Sequence, residues 1–455
     1  MSGRLAAFAA DCGGTLHGED RSYSKISIDT RSLTEGDLFI ALRGPNFDGN
    51  AFLAQAAAAG AAGALAERVG PAGFSVVVVP DALLALQSAA ITHRKRHAAL
   101  VIGVAGSNGK TTTKEMLAHI LAESAPTLAT AGNFNNHIGV PLTLLRLTPE
   151  HRYAVIELGA NRSGEVTQLA SFAMPQIGLV TNAGAEHLEG FGSLEAAARA
   201  EGELFAALPR DGVAILNVDD AYAGLWRDMT IAKVVSFGLG AKADVTADEI
   251  RTERSAEGLL TRFVLCTPAG RAPIELQLAG KHNVVNALAA AAAALSAGVG
   301  LDDIVRGLAR VRAVKGRLQW RLAASGAVII DDSYNANPSS MQAAIDVLAS
   351  QPGKRHLVIG DMGELGSFAR EAHLEAGRYA RAHGVDRLYA FGEWAALAAE
   401  SFGSGASCHR DMAELSTAVA AELDADSIIL VKGSRLNQLE RLIEALGARQ
   451  TSETH

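Results

Sequence analysis

The stretch Ala98-Ala-Leu-Val-Ile-Gly-Val-Ala-Gly106-Ser-Asn-Gly109-Lys110-Thr111-Thr112-Thr113 decides how the chain is read. Ala98–Val104 is short, apolar and ends in glycine-rich sequence, the pattern of a buried strand. A helix is expected to begin at Lys110. Glycines let backbone N–H groups turn inward around an anion, and the helix dipole adds about half a positive charge at that end. Gly106, Ser107, Asn108 and Gly109 are therefore expected to cradle phosphates. Lys110 would reach the terminal ones, and the Thr111 or Thr112 hydroxyl would ligate Mg²⁺. The spacing departs from the strict P-loop pattern, because Val104 stands five residues before Gly109 and glycines fall at 103 and 106. The alternative is a glycine-rich turn that binds nothing.

Outward from that loop, Tyr153–Leu158, Ile177–Thr181 and Val213–Asn217 are further strand candidates with helical patterns between the first of them. Strands alternating with helices predict a parallel, doubly wound sheet. Residues 243–280 alternate polar and apolar positions and predict a small antiparallel excursion, closed by a helix over Val284–Ala297. Strands at Ala327–Asp331, His356–Gly360, Arg387–Ala390 and Ser427–Val431 predict a second, Rossmann-like unit. Before the loop, short apolar segments and the Ala-rich stretches Ala51–Ala62 and Ala82–Thr92 predict a small α/β domain. The fold class is thus α/β with three domains, expected at 1–92, 93–314 and 315–455: a small N-terminal one, a central P-loop-type mostly parallel sheet, and a C-terminal Rossmann-like one. The cluster His93-Arg94-Lys95-Arg96-His97 is expected to be a solvated helix end or linker rather than a nucleic-acid patch.

Composition narrows the class. The 455 residues are 49% hydrophobic and 20% charged, which excludes a disordered chain and supports a large aliphatic core. With 41 basic against 49 acidic residues the net charge is −8, so no nucleic acid is expected as a partner. Cys12, Cys266 and Cys408 are isolated, which argues against a disulfide framework or zinc cluster and fits a reducing compartment. The most apolar run, Ala287–Gly300, is too short to span a membrane. A cytoplasmic, monomeric protein is expected.

The GxxGxxGKTTT form resembles the ATP loop of the Mur ligase family. Seven further segments follow in family order: Ala131–Leu145, Ile156–Val166, Thr181–Ser193, Gly280–Ala290, Ile330–Met341, Gly360–Gly366 and Val431–Arg435. The blocks DDSYNANP and GDMGELG resemble the branch that adds D-alanyl-D-alanine. The resemblance implies an ATP- and Mg²⁺-dependent ligase that activates the carboxyl end of UDP-N-acetylmuramoyl-tripeptide as an acyl phosphate and joins D-alanyl-D-alanine to it. The diamino acid at the third peptide position stays open.

The resemblance also implies roles. Glu157, at a strand's carboxyl end, and His187 would be catalytic and would hold Mg²⁺ together with Thr111; Lys110 and Glu201 complete the catalytic set. Glu201 departs from the family, which has here a lysine carbamylated to hold a second Mg²⁺. Glutamate would supply the anionic oxygens directly, unless Glu201 is only a solvated helix residue. Asn283 would meet adenine, Arg317 the ATP phosphates and Asp332 the ribose. His282, Asn283 and Asn286 would also cap the helix they open. Substrate contacts would come from Asn135, Asn136, Asn335, Asn337, Lys432 and Arg435, with Ser27, Asp29 and Arg31 on the uridine diphosphate. Asn337-Pro338 is a sensible helix start. Two rivals remain: a folylpolyglutamate synthase-like ligase, which would lack the N-terminal domain, and a P-loop switch or motor, which would hydrolyse ATP without an acceptor.

Overall fold

Parallel strands are buried on both faces and therefore need unbroken apolar runs. Leu100–Ala105, Tyr153–Glu157 and Ile177–Val180 have such runs and lie side by side in a six-stranded, wholly parallel sheet. Its order is Thr127–Ala129, Tyr153–Glu157, Leu100–Ala105, Ile177–Val180, Val213–Asn217, Lys233–Phe237. The computed structural model describes residues 2–240, 242–255 and 258–450. Placing Leu100–Ala105 between two strands that come later in the chain gathers three strand ends at one point of the carboxyl edge. In open α/β sheets that is where ligands bind.

The expected antiparallel excursion is present as Thr246–Ser255, Gly258–Thr267 and Gly270–Leu276. The helix after it, Lys281–Ser296, is enclosed, with residues 287–294 carrying no exposed surface. The C-terminal sheet contains five parallel strands in the order Ala406–His409, Arg387–Phe391, Lys354–Gly360, Ser427–Lys432 and Val328–Asp332. Gln319–Leu322 continues it antiparallel. The N-terminal sheet is built on Ile26–Ser27, Leu38–Ile40, Gly63–Ala66 and Val76–Val78, all parallel, with Thr15–His17 antiparallel at its edge. Three α/β domains result. No helix among the described residues is long and apolar enough to cross a membrane.

One expectation is overturned in part. The basic cluster at 93–97 does end a helix, Ala82–Lys95, and Lys95 and Arg96 are exposed, but His93 and Arg94 are buried. Arg94 is 5% exposed and donates to the carbonyls of Ala173, Met174 and His97. His93 is buried against the Leu147 carbonyl, and burial holds its pKa below the usual value. Arg96 makes a two-pronged ion pair with buried Asp11. These side chains join the N-terminal helices to the central domain, because the helix C-terminus aims them at unpaired carbonyls that attract cations.

Candidate active site

A cleft of about 880 Å³ lies between the carboxyl edges of the central and C-terminal sheets. Its floor is the phosphate loop. Gly106 has φ +119°, and a Cβ there would lie 2.1 Å from the Thr181 hydroxyl; at Gly109, φ is +80° and a Cβ would lie 2.4 Å from Asn286 Oδ1. Only glycine fits either place. The helix Lys110–Ser124 starts at Lys110 as expected, and Ser107, Asn108, Thr111 and Thr112 line the cleft with it. Lys110 Nζ folds back onto the carbonyls of Gly106 and Ser107 and lies 3.4 Å from Glu186. Burial disfavours its charge, but Glu186, Glu201 and Glu157 outweigh burial and hold its pKa above the ordinary lysine value.

Glu157 ends its strand with 1% of its surface exposed. One carboxylate oxygen accepts from the Thr111 hydroxyl at 3.2 Å and the Asn135 amide at 2.9 Å. The other accepts no hydrogen bond among the described residues, and the Lys114 ammonium stands 3.8 Å away. A buried, orphaned carboxylate oxygen beside a hydroxyl and a phosphate loop fits a hard divalent cation. His187, at φ +52°, lines the same cleft, but its Nδ1 is paired with Glu364 of the C-terminal domain. Among the described residues no three His, Cys, Asp or Glu side chains gather as a metal cage. Mg²⁺ does not require one, since one or two carboxylates plus phosphate and water oxygens usually hold it.

Glu201 is 3% exposed, which removes the reading of a solvated helix residue. It sits behind the loop, outside the cleft lining, and accepts from the Gly106 amide at 2.7 Å. Burial pushes its carboxyl up to about 7, against the opposing pull of Lys110 and the Gly106 amide.

At the far end, the helix cap expected from His282, Asn283 and Asn286 is not made by them. Gly280 holds the cap position without a side-chain bond. Asn283 lies one turn inside, donates to the Ala279 carbonyl at 2.7 Å and receives Asn286, which presses on Gly109. Arg317 crosses from the C-terminal side to donate to the Thr111 hydroxyl at 3.2 Å, with its guanidinium 4.4 Å from the Tyr334 ring centre. Asp332 accepts from the Leu318 amide and, at 2.6 Å, from buried Lys432, which also donates to the Asn335 carbonyl. Arg435 is exposed at the rim and paired with Glu440. Asn337 caps the helix Pro338–Ala349 with a full capping box, as expected. Its Nδ2 reaches Asn108 Oδ1 at 2.8 Å, so the phosphate loop and the C-terminal domain are already in contact. Asn136 lines the cleft and accepts from the Ile138 and Gly139 amides.

Ser27, Asp29 and Arg31 are not brought to this cleft. They form a separate turn on the N-terminal sheet, where the Arg31 hydrogen bonds draw the exposed Asp29 carboxyl down to about 2. Sequence reasoning missed Lys114 and Glu186. Lys114 carried a signal, since it follows Lys110 by four residues and so shares its helix face. It is fully buried and donates to the Thr130 and Gly132 carbonyls.

A phosphate loop that faces a second α/β domain across one cleft, with a carboxylate and cations from both sides, defines a class: a nucleotide-dependent ligase. Three family segments match the chain: "Mur ligase family, catalytic domain" over residues 22–120, "Mur ligase middle domain" over 104–294 and "Mur ligase, glutamate ligase domain" over 316–435. UDP-N-acetylmuramoyl-tripeptide--D-alanyl-D-alanine ligase of Escherichia coli is 44% identical over 438 residues, 95% of this chain and 96% of the relative. The crystal structure of MurF from Acinetobacter baumannii superposes with a TM-score of 0.91 at 37% identity, covering 98% and 99% of the two chains. MurF ligase from Thermotoga maritima, solved in complex with ADP, gives 0.80 at 27% identity over 93% and 96%. The chain belongs to the Mur ligase family.

Proposed function

We propose that this enzyme joins D-alanyl-D-alanine to UDP-N-acetylmuramoyl-tripeptide with cleavage of ATP to ADP and phosphate. The observation that carries the reading is the shared cleft. Phosphate-binding loop, buried Glu157 and C-terminal cations face one space, which a phosphoryl transfer to a carboxyl group requires. The terminal carboxylate of the tripeptide takes the γ-phosphoryl group, with loss of the bond to the β-phosphate oxygen. The dipeptide amine then attacks the acyl carbon, the bond to the phosphate oxygen breaks and a proton leaves the nitrogen. Lys110 and the loop amides neutralise the phosphates, and Arg317 couples the C-terminal domain to them. Mg²⁺, held by Glu157 and Thr111 with His187 nearby, would supply positive charge to the phosphate oxygens. Asn283 and Asp332 are placed for the nucleoside. Asn135, Asn136, Asn335, Asn337, Lys432 and Arg435 are placed for the reacting peptide ends.

In this reading the N-terminal domain, with Ser27, Asp29 and Arg31, holds the uridine nucleotide, the central domain ATP and the C-terminal domain the dipeptide. On the same reading the enzyme works as a monomer in the cytoplasm. Phosphate release should appear only when tripeptide and dipeptide are both present. Release with pteroylglutamate and glutamate, or with no acceptor, would contradict it.

Glu201 puts a carboxyl group behind the loop where the family resemblance implies a carbamylated lysine, and Lys110 and the Gly106 amide favour its ionised form against burial. Turnover in CO₂-depleted buffer should therefore equal that with bicarbonate. Glu201→Ala should lower kcat/KM about 10- to 100-fold, as loss of an orienting partner does. A bicarbonate requirement, or an Ala variant with normal kinetics, would remove Glu201 from this role.

A further inference from the structure

Three carboxylates act on the ammonium of Lys110: those of Glu186, Glu201 and Glu157. Two have other strong partners. Glu157 receives the Thr111 hydroxyl and the Asn135 amide, and Glu201 receives the Gly106 amide. Glu186 is differently placed. Its Oε2 lies 3.4 Å from Lys110 Nζ, while its Oε1, among the described residues, has the Asn335 amide at 3.5 Å and His187 Nε2 at 3.7 Å as partners. The side chain is mostly buried yet lines the cleft, and it points toward the turn of the C-terminal domain that carries Asn335.

Glu186 is therefore balanced by the lysine that a triphosphate needs. Several phosphate charges outcompete one carboxylate for that ammonium. After the exchange Glu186 has lost its ammonium partner and, with Mg²⁺ assigned to Glu157 and Thr111, gains from a further cation on its own side of the cleft. That cation has to enter from the side of Asn335 and settle next to the terminal phosphate. The amine-bearing substrate meets both conditions, because its nitrogen must reach the acyl carbon beside the transferred phosphate. It also carries charge, since an α-amino group holds its proton up to about pH 8.

We infer that Glu186 anchors the ammonium group of the incoming dipeptide, and that binding of the nucleotide phosphates at Lys110 frees it to do so. This assignment rests on the amide-ligase reading above. It is an exchange of ion pairs in which no covalent bond changes, and the proton the amine later loses is not assigned to Glu186.

Glu186→Gln keeps the size of the side chain and removes its charge. The dipeptide KM should rise about tenfold or more, the worth of a hydrogen bond to a charged group. The Kd for Mg-ADP, measured by calorimetry, should fall, because Lys110 is no longer held. Wild type should prefer D-alanyl-D-alanine over D-lactoyl-D-alanine, which has a hydroxyl in place of the ammonium, as a competing ligand. The Gln variant should lose that preference, and Glu186→Asp, which keeps the charge, should restore it. A merely structural Glu186 would weaken nucleotide and dipeptide together. Weakening of both, an unchanged dipeptide KM, or a preference kept by the Gln variant each overturns the inference. If wild type itself releases no phosphate with both substrates present, the amide-ligase reading fails first and this inference falls with it.

Discussion

Lys110→Ala should lower kcat/KM about 1000-fold, the upper range for removing one preorganised donor from developing charge. The effect is large because the lysine does more than touch phosphate. Its ammonium is the nearest cation to Glu186 and acts on Glu201 and Glu157 as well. Without it, Glu157 and Glu186 face an incoming triphosphate with the loop amides, Arg317 and the buried Lys114 as the nearby compensation. Nucleotide affinity and the phosphoryl step should therefore fall together. Phosphate-release kinetics and a calorimetric ADP titration measure the two effects, and an unchanged far-ultraviolet circular dichroism spectrum would show that the fold survives. Turnover within tenfold of wild type would refute the role given to the loop.

Arg94→Ala should cost about 3 kcal/mol of stability, since it strands carbonyls of Ala173, Met174 and His97 in a buried interface. Among the described residues the guanidinium has no carboxylate partner, and burial pulls its pKa below the ordinary arginine value. Replacement thus removes hydrogen bonds to main chain. The midpoint of thermal unfolding should drop by roughly 6–12 °C, at 2–4 °C per kcal/mol for a large cooperative unit. Differential scanning calorimetry is the check. Because Arg94 does not line the cleft, the KM for ATP should hold at temperatures where the variant is folded. A midpoint shift under 2 °C would mean that water replaces the guanidinium without loss.

Much of this architecture was legible beforehand. Leu100–Ala105, Ile177–Val180 and Val213–Asn217 announce themselves because parallel strands in the middle of a sheet need unbroken apolar runs. Gly63–Ala66 escaped, since Gly-Ala-Leu-Ala has no β-branched residue and is a strand by virtue of its neighbours. Lys233–Phe237 escaped as an edge strand. In the cleft, residues that carry their own local pattern were found: Lys110 after glycines, Glu157 at a strand end, Asn337 before proline. Glu186 and Lys114 were not, because their meaning lies in contacts with residues 76 and 43 positions away. The burial of Arg94 was hidden for the same reason, as a basic run looks the same whether water or carbonyl oxygens receive it.

The helix Lys281–Ser296 has a consequence for how this protein tolerates change. Its alanines sit wall to wall against the helix that leaves the phosphate loop, and Asn286 at its amino end props Gly109. A single added methylene has nowhere to go and would lean on that prop. The dullest-looking run of letters is thus the one where drift is least free, and a leucine there would disturb a triphosphate it never meets.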